Sequence, residues 1–165
     1  MIDAIIHNLK DGIALLQCLE DAQYCDSSVA PYNSCIGNHM RHILDVYDCV
    51  LDGLDSGEID LTARKRNPLI ERSPRVAKAC FAETITQVRS LAGINMDRLV
   101  SLKDDMGLGM VETKTTVGAI LMQANSHTLH HYASLGYIIS QLDLDLPCSR
   151  FGFNPTTPAC GAQAG

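Results

Sequence analysis

The chain has 165 residues, 46% hydrophobic and 19% charged, which suits one domain with its own core and leaves no apolar run near the ~20 residues of a membrane span. A formal net charge of −6, with Arg64, Lys65 and Arg66 as the only basic tract, lacks the basic face that nucleic acid requires. The seven cysteines, odd in number and without a C-x-x-C, read as free thiols in a reducing compartment. The N-terminus M-I-D-A-I-I-H-N-L-K has neither the basic start nor the long apolar centre of a secretory signal, so the expectation is a cytoplasmic protein.

Helical periodicity dominates the chain. Ile2, Ile5, Ile6, Leu9, Ile13, Leu16 and Leu19 recur at spacings of three and four and predict a first helix over 2–24. The stretch from Asp26 to Pro31 is a loop by composition. A second helix over 33–55 carries a seam of Ile36, His39, Ile43, Val46, Val50 and Gly53 and stops at D-S-G, residues 55–57. Residues 58–72 show no period and read as a long ordered connection. Ser73-Pro74 then opens a third helix to about Leu91, with Ala77, Cys80, Phe81, Val88 and Leu91 inward.

Residues 97–113 alternate weakly and include D-D-M-G-L-G, which predicts a short β-hairpin. Thr115 or Thr116 caps a fourth helix to about Leu142. Four long helices with one long crossover predict an all-α four-helix bundle over 1–146. An irregular tail over 147–165 follows, with Phe151 and Phe153 as its anchors and a mobile end of small residues.

Three of the six histidines fall in S-H-T-L-H-H-Y-A, residues 126–133. At ~100° per residue, His127 and His131 lie on the stripe of Val117, Ile120, Leu121, Ala124, Leu135, Ile138 and Leu142. His130 falls roughly 110° from its centre. Two imidazoles one turn apart on one face can share one ion. On the second helix His39 sits on the seam and His42 is rotated ~60° away, which makes His39 the better third ligand. The competing reading is a core cluster of hydrogen-bonded histidines without metal.

Thr128 follows His127, so the H-E-x-x-H of zincins and its glutamate base are absent. Three histidines with open positions suit Zn²⁺ or Ni²⁺, with Fe²⁺ a further candidate. In the connection, Arg64 and Arg66 are candidates to hold a substrate carboxylate, and Glu71 is the candidate general base. Arg41 and Asp45 are placed to pair with each other, Asp45 alternatively to orient His42. A fourth protein ligand such as Glu71 or Cys148 would indicate a structural or sensory site.

Three stretches resemble the DinB-like superfamily. They are S-C-I-G-N-H-M-R-H-I-L-D-V-Y (34–47), G-E-I-D-L-T-A-R-K-R-N-P-L-I-E (57–71), and S-H-T-L-H-H-Y-A with the later L-P-C-S-R-F-G-F-N-P-T-T. The resemblance implies up-down-down-up helix connectivity and a divalent metal on one histidine of the second helix and an H-x-x-x-H pair of the fourth. These map onto His39, His127 and His131. It also implies a homodimer acting on a small molecule, with low-molecular-weight thiol transfer, thiol-dependent isomerisation and metal-dependent hydrolysis among the activities of the fold. The H-x-x-x-H-x-E of the related iron-dependent sulfoxide synthases is not matched, because Ala133 stands in place of the acid. The expectation is therefore a metal-dependent enzyme for a small molecule. The alternative is a non-catalytic metal-binding bundle serving as a binding module or sensor.

Overall fold

A computed structural model describes residues 1–158 of the chain. The tail's predicted mobile end, with Cys160, lies outside the described residues. The first predicted helix is two. α1 spans Ile2–Leu16 and a four-residue α2 spans Asp21–Tyr24. The break arises because Glu20 and Gln23 form a reciprocal cap that starts a new helix, with the Glu20 backbone N–H donating to Gln23 Oε1 at 2.9 Å. α3 runs Ile36–Leu54, and at its start the Cys35 N–H donates to Asn38 Oδ1 at 3.1 Å.

The connection without a period contains two elements. β1 is Glu58–Asp60 and α4 is Pro68–Arg72, opened by Asn67, whose side chain accepts from Leu69 N–H at 3.0 Å, and by a proline at the first helical position. α5 covers Pro74–Ser90. The predicted hairpin is present as β2, Leu99–Asp105, and β3, Met110–Thr116. β3 leads directly into α6, Val117–Gln141, where Thr116 Oγ1 accepts from Ala119 N–H at 3.1 Å.

The all-α expectation needs correction. The fold is mostly helical but includes a three-stranded sheet of order β1-β2-β3. β1 pairs with β2 in parallel, Ile59 opposite Leu102, and β2 pairs with β3 antiparallel, Leu102 opposite Thr113. Three residues are too few to show an alternation, so β1 left no periodic signal.

The four long helices share one core. α1 packs on α5 and α6, and α3 packs on the same two. Leu9, Ile36, Tyr47, Phe81, Ile120, Tyr132 and Leu135 are buried at its centre, each worth roughly 1.5–3 kcal/mol of burial for a side chain of this size. Gly37 lets the backbone carbonyl of Glu71 approach α3, so α4 lies tight against it. Of the two expected tail anchors, Phe151 is buried and stacks on Tyr132 at 4.8 Å between ring centres, whereas Phe153 stays half exposed beneath the Arg150 guanidinium. Cys18, Cys25, Cys35, Cys49, Cys80 and Cys148 are free thiols. No helix among the described residues is long and apolar enough to cross a membrane.

Candidate metal centre

Two neighbouring helices supply the histidines. α3 carries His39 and His42, and α6 carries His127, His130 and His131. The buried face of α3 is centred near Ile36, Tyr47 and Leu54, roughly 60° around the axis from His39. His39 and His42 therefore both lie on the flank of that face, half-buried, where α3 meets α6. His127 and His131 lie half-buried on the facing flank, and His130, off the stripe, is exposed.

His42, His127 and His131 each turn one ring nitrogen into a common space, and these three atoms all lie within 4.8 Å of one another. Nε2 of His131 is 3.0 Å from Nε2 of His127. The His42 ring stands nearly perpendicular to both, with centroids 4.8 Å from His127 and 4.9 Å from His131. Nitrogens at bonding distance of about 2.0–2.1 Å from one tetrahedral ion would stand a little over 3 Å apart, close to the spacing of the His127 and His131 pair.

His39, the expected third ligand, is not in this group. Its Nδ1 meets Nδ1 of His131 at 2.9 Å, on the side of that ring away from His127, and its Nε2 lies 3.0 Å from Ser34 Oγ. The structure thus replaces His39 by His42 in the converging set. The seam drawn through Ile36, His39, Ile43 and Val46 misplaced the buried face by omitting Met40, Leu44 and Tyr47. With those residues included, neither histidine is central, and proximity to α6 decides which one converges.

The donor set fits a divalent ion. Burial pushes the His131 imidazole down to about 3 and His42 to about 4, and their histidine neighbours push the same way. His127 is lowered as well, by burial first and then by His130 and Arg64. All three rings are neutral at pH 7, the state in which imidazole ligates. Their ring nitrogens converge with no fourth His, Cys, Asp or Glu in the group among the described residues. Cys148 is exposed in the tail and Glu71 is engaged elsewhere.

A depression of about 400 Å³ opens beside the three histidines, with His42 and His131 in its wall together with Tyr32, Asn38, Arg41 and Arg64. Arg41 is held by two carboxylates. It bridges Asp45, as the i, i+4 spacing predicted, and its Nε donates to Glu71 Oε1 at 2.6 Å. Asp45 is used up by Arg41 and by the Arg66 backbone N–H, and makes no hydrogen bond to His42. Glu71 is held by Arg41 rather than presented to the histidines. Arg64 does reach the depression. Its Nε donates to the Leu61 carbonyl at 3.0 Å, and it makes no ion pair among the described residues. The Arg66 side chain is exposed and away from it. Sequence reasoning gave no site role to Tyr32 and Ser34, in the loop before α3, or to Asn38, in its first turn.

The model of the DinB superfamily matches residues 8–135. A solved structure of a DinB-like protein from Bacillus subtilis, YjoA, superposes with a TM-score of 0.64 at 18% identity, covering 89% of this chain and 94% of that one. At that identity the likeness concerns the fold. No curated protein matches the chain.

Proposed function

The chain belongs to the DinB superfamily, and on that premise we propose that it is a divalent-metal-dependent enzyme acting on a small molecule, by thiol transfer or by hydrolysis. The observation that carries the reading is the convergence of His42, His127 and His131 from two helices. In this reading those three hold the ion, Zn²⁺ or Ni²⁺ before Fe²⁺. When bound, the ion acts as a Lewis acid and lowers the pKa of a coordinated water or thiol.

The protein's own part is orientation. With its proton on Nδ1, His131 donates to His39 Nδ1, His39 Nε2–H in turn donates to Ser34 Oγ, and the Nε2 lone pair of His131 is left to face His127 and His42. Arg64 at the rim offers a guanidinium to an anionic group of the substrate. The same reading takes the helices in up-down-down-up order over 1–146 with the tail over 147–165, and the protein as a cytoplasmic homodimer.

The test is metal content by elemental mass spectrometry on tag-free protein beside His42→Ala and His131→Ala. The expected result is about one ion per chain, lost in both variants. A wild type free of metal after incubation with Zn²⁺, Ni²⁺ and Fe²⁺ would sink the proposal. One observation favours a second reading, a metal-binding module or sensor without turnover. Glu71, the expected base, is tied to Arg41. Metal-loaded protein inert toward thiol-transfer and ester or amide substrates would select that reading.

A further inference from the structure

Beside the depression that holds Arg64 lies a larger cavity of about 560 Å³, within the range of small-molecule sites. The loop before α3 forms one wall with Val29, Pro31 and Tyr32. α6 forms the other with His131, Ser134 and Ile138. Tyr32, Ser34, His39 and His131 border both spaces, so the two adjoin at the His39–His131 pair and are taken together as one cleft.

The two ends differ chemically. In the larger cavity both serine hydroxyls are already used: Ser134 Oγ donates to the His130 carbonyl at 3.1 Å, and Ser34 Oγ is bonded to His39. What remains for a ligand there is mainly the apolar surface of Val29, Pro31 and Ile138 and the faces of Tyr32 and Tyr137. At the other end the charge of Arg41 is cancelled by Asp45 and Glu71, while Arg64 has no acidic partner among the described residues. Arg64 is therefore the cation without an acidic partner at the end nearest His42, among the described residues. A fixed cation beside half-buried, neutral imidazoles favours an anion in a partly desolvated position.

We propose that this cleft binds a small carboxylate with a short apolar body, the carboxylate at Arg64 and the body between the 29–32 loop and α6. The proposal rests on the reading of the histidine face as the substrate site and names the class of substrate it takes.

The experiment is an NMR titration of full-length, ¹⁵N-labelled, chelator-treated protein with 4-phenylbutyrate, butyrate and 4-phenylbutanol. 4-Phenylbutyrate should bind about tenfold more tightly than butyrate, because only it fills the apolar end. It should also bind about tenfold more tightly than the alcohol, which cannot pair with Arg64. The perturbed amides should fall in 29–34 and 134–141. Arg64→Gln should bring the acid down to the alcohol's affinity. Ala30→Trp, on the exposed loop, should remove the advantage over butyrate while leaving the amide spectrum of the fold unchanged. Equal affinity for the three probes, or perturbations confined to the exposed hairpin tip around Leu108, would overturn the proposal. Because the titration needs no metal, a protein that binds the acid but no ion would separate failure of the metal reading from failure of this one.

Discussion

His39 and His131 face each other through their Nδ1 atoms at 2.9 Å. A hydrogen bond there requires one of the two nitrogens to carry the proton and the other to accept it. If His131 donates, its Nε2 is left as a lone pair aimed toward His127, and His39 serves as the residue that fixes the ring. His39→Gln should then keep one ion per chain with affinity weakened about 10–100-fold, while His42→Ala loses the ion. Competition against a chromogenic chelator measures both. Loss of stoichiometry in His39→Gln with retention in His42→Ala would restore His39 as a ligand.

The depressed histidines make the metal-free protein sensitive to acid. In the unfolded chain an imidazole takes up a proton below about 6.5, whereas His42 and His131 in the fold hold out to about 4 and about 3, chiefly through burial. Below that unfolded value the unfolded state binds more protons, so stability is full above it and falls as pH drops toward 4. Urea midpoints at several pH values between neutral and acid should decline in the wild type and decline less in His131→Gln. A midpoint that rises on acidification would contradict the burial of these rings.

Arg41 joins α3 to α4 by holding Asp45 and Glu71 at once. Asp45 is only 3% exposed, so removing its guanidinium strands a charge in the interior. Arg41→Ala should cost about 3 kcal/mol, and Glu71→Gln, on the more exposed arm, about 1 kcal/mol or less. Chemical denaturation orders the two. A larger loss in Glu71→Gln would mean that the carboxylate does more than brace Arg41.

Two glycines should respond oppositely to alanine. A methyl at Gly37 meets the Glu71 backbone carbonyl, which cannot step aside without moving α4, so Gly37→Ala should destabilise by about 1–3 kcal/mol. Gly136, in the middle of α6, has open space where a Cβ would stand, and Gly136→Ala should stabilise by about 0.5–1 kcal/mol. Thermal melts of the pair separate close approach from helix propensity.

The parts that were legible in the sequence have strong local causes. The starts of α5 and α6 and the hairpin were marked by Pro74, Thr116 and the Gly107-Leu108-Gly109 tip. The His127 and His131 pair follows from helix geometry alone, because four residues make one turn. The third histidine was not legible, since choosing between His39 and His42 depends on the rotation of α3 against α6. That rotation is set by Met40, Leu44 and Tyr47 packing on other helices. Arg64 was distinguishable from Arg66 only after the backbone between β1 and α4 was placed, where Arg66 takes a left-handed conformation and gives its N–H to Asp45. The break after Leu16 has a local cause too, but the capping pair starts with Glu20 rather than with a serine or threonine.

The small sheet has a mechanical consequence. β1 follows the end of α3 by one tight turn, and β3 runs unbroken into α6, so both histidine-bearing helices are mounted on the outer strands of one three-stranded plate. At 1.5 Å per residue, His42 stands roughly 18 Å from Leu54, and His127 and His131 stand roughly 15 and 21 Å from Val117. The two arms are matched, and His42 comes level with the gap between its partners. Sliding β3 by one residue along β2 would shift its mount by about 3.3 Å, more than a whole metal–nitrogen bond. The alignment of the imidazoles is therefore gauged by the pairing of Ile59 with Leu102 and of Leu102 with Thr113.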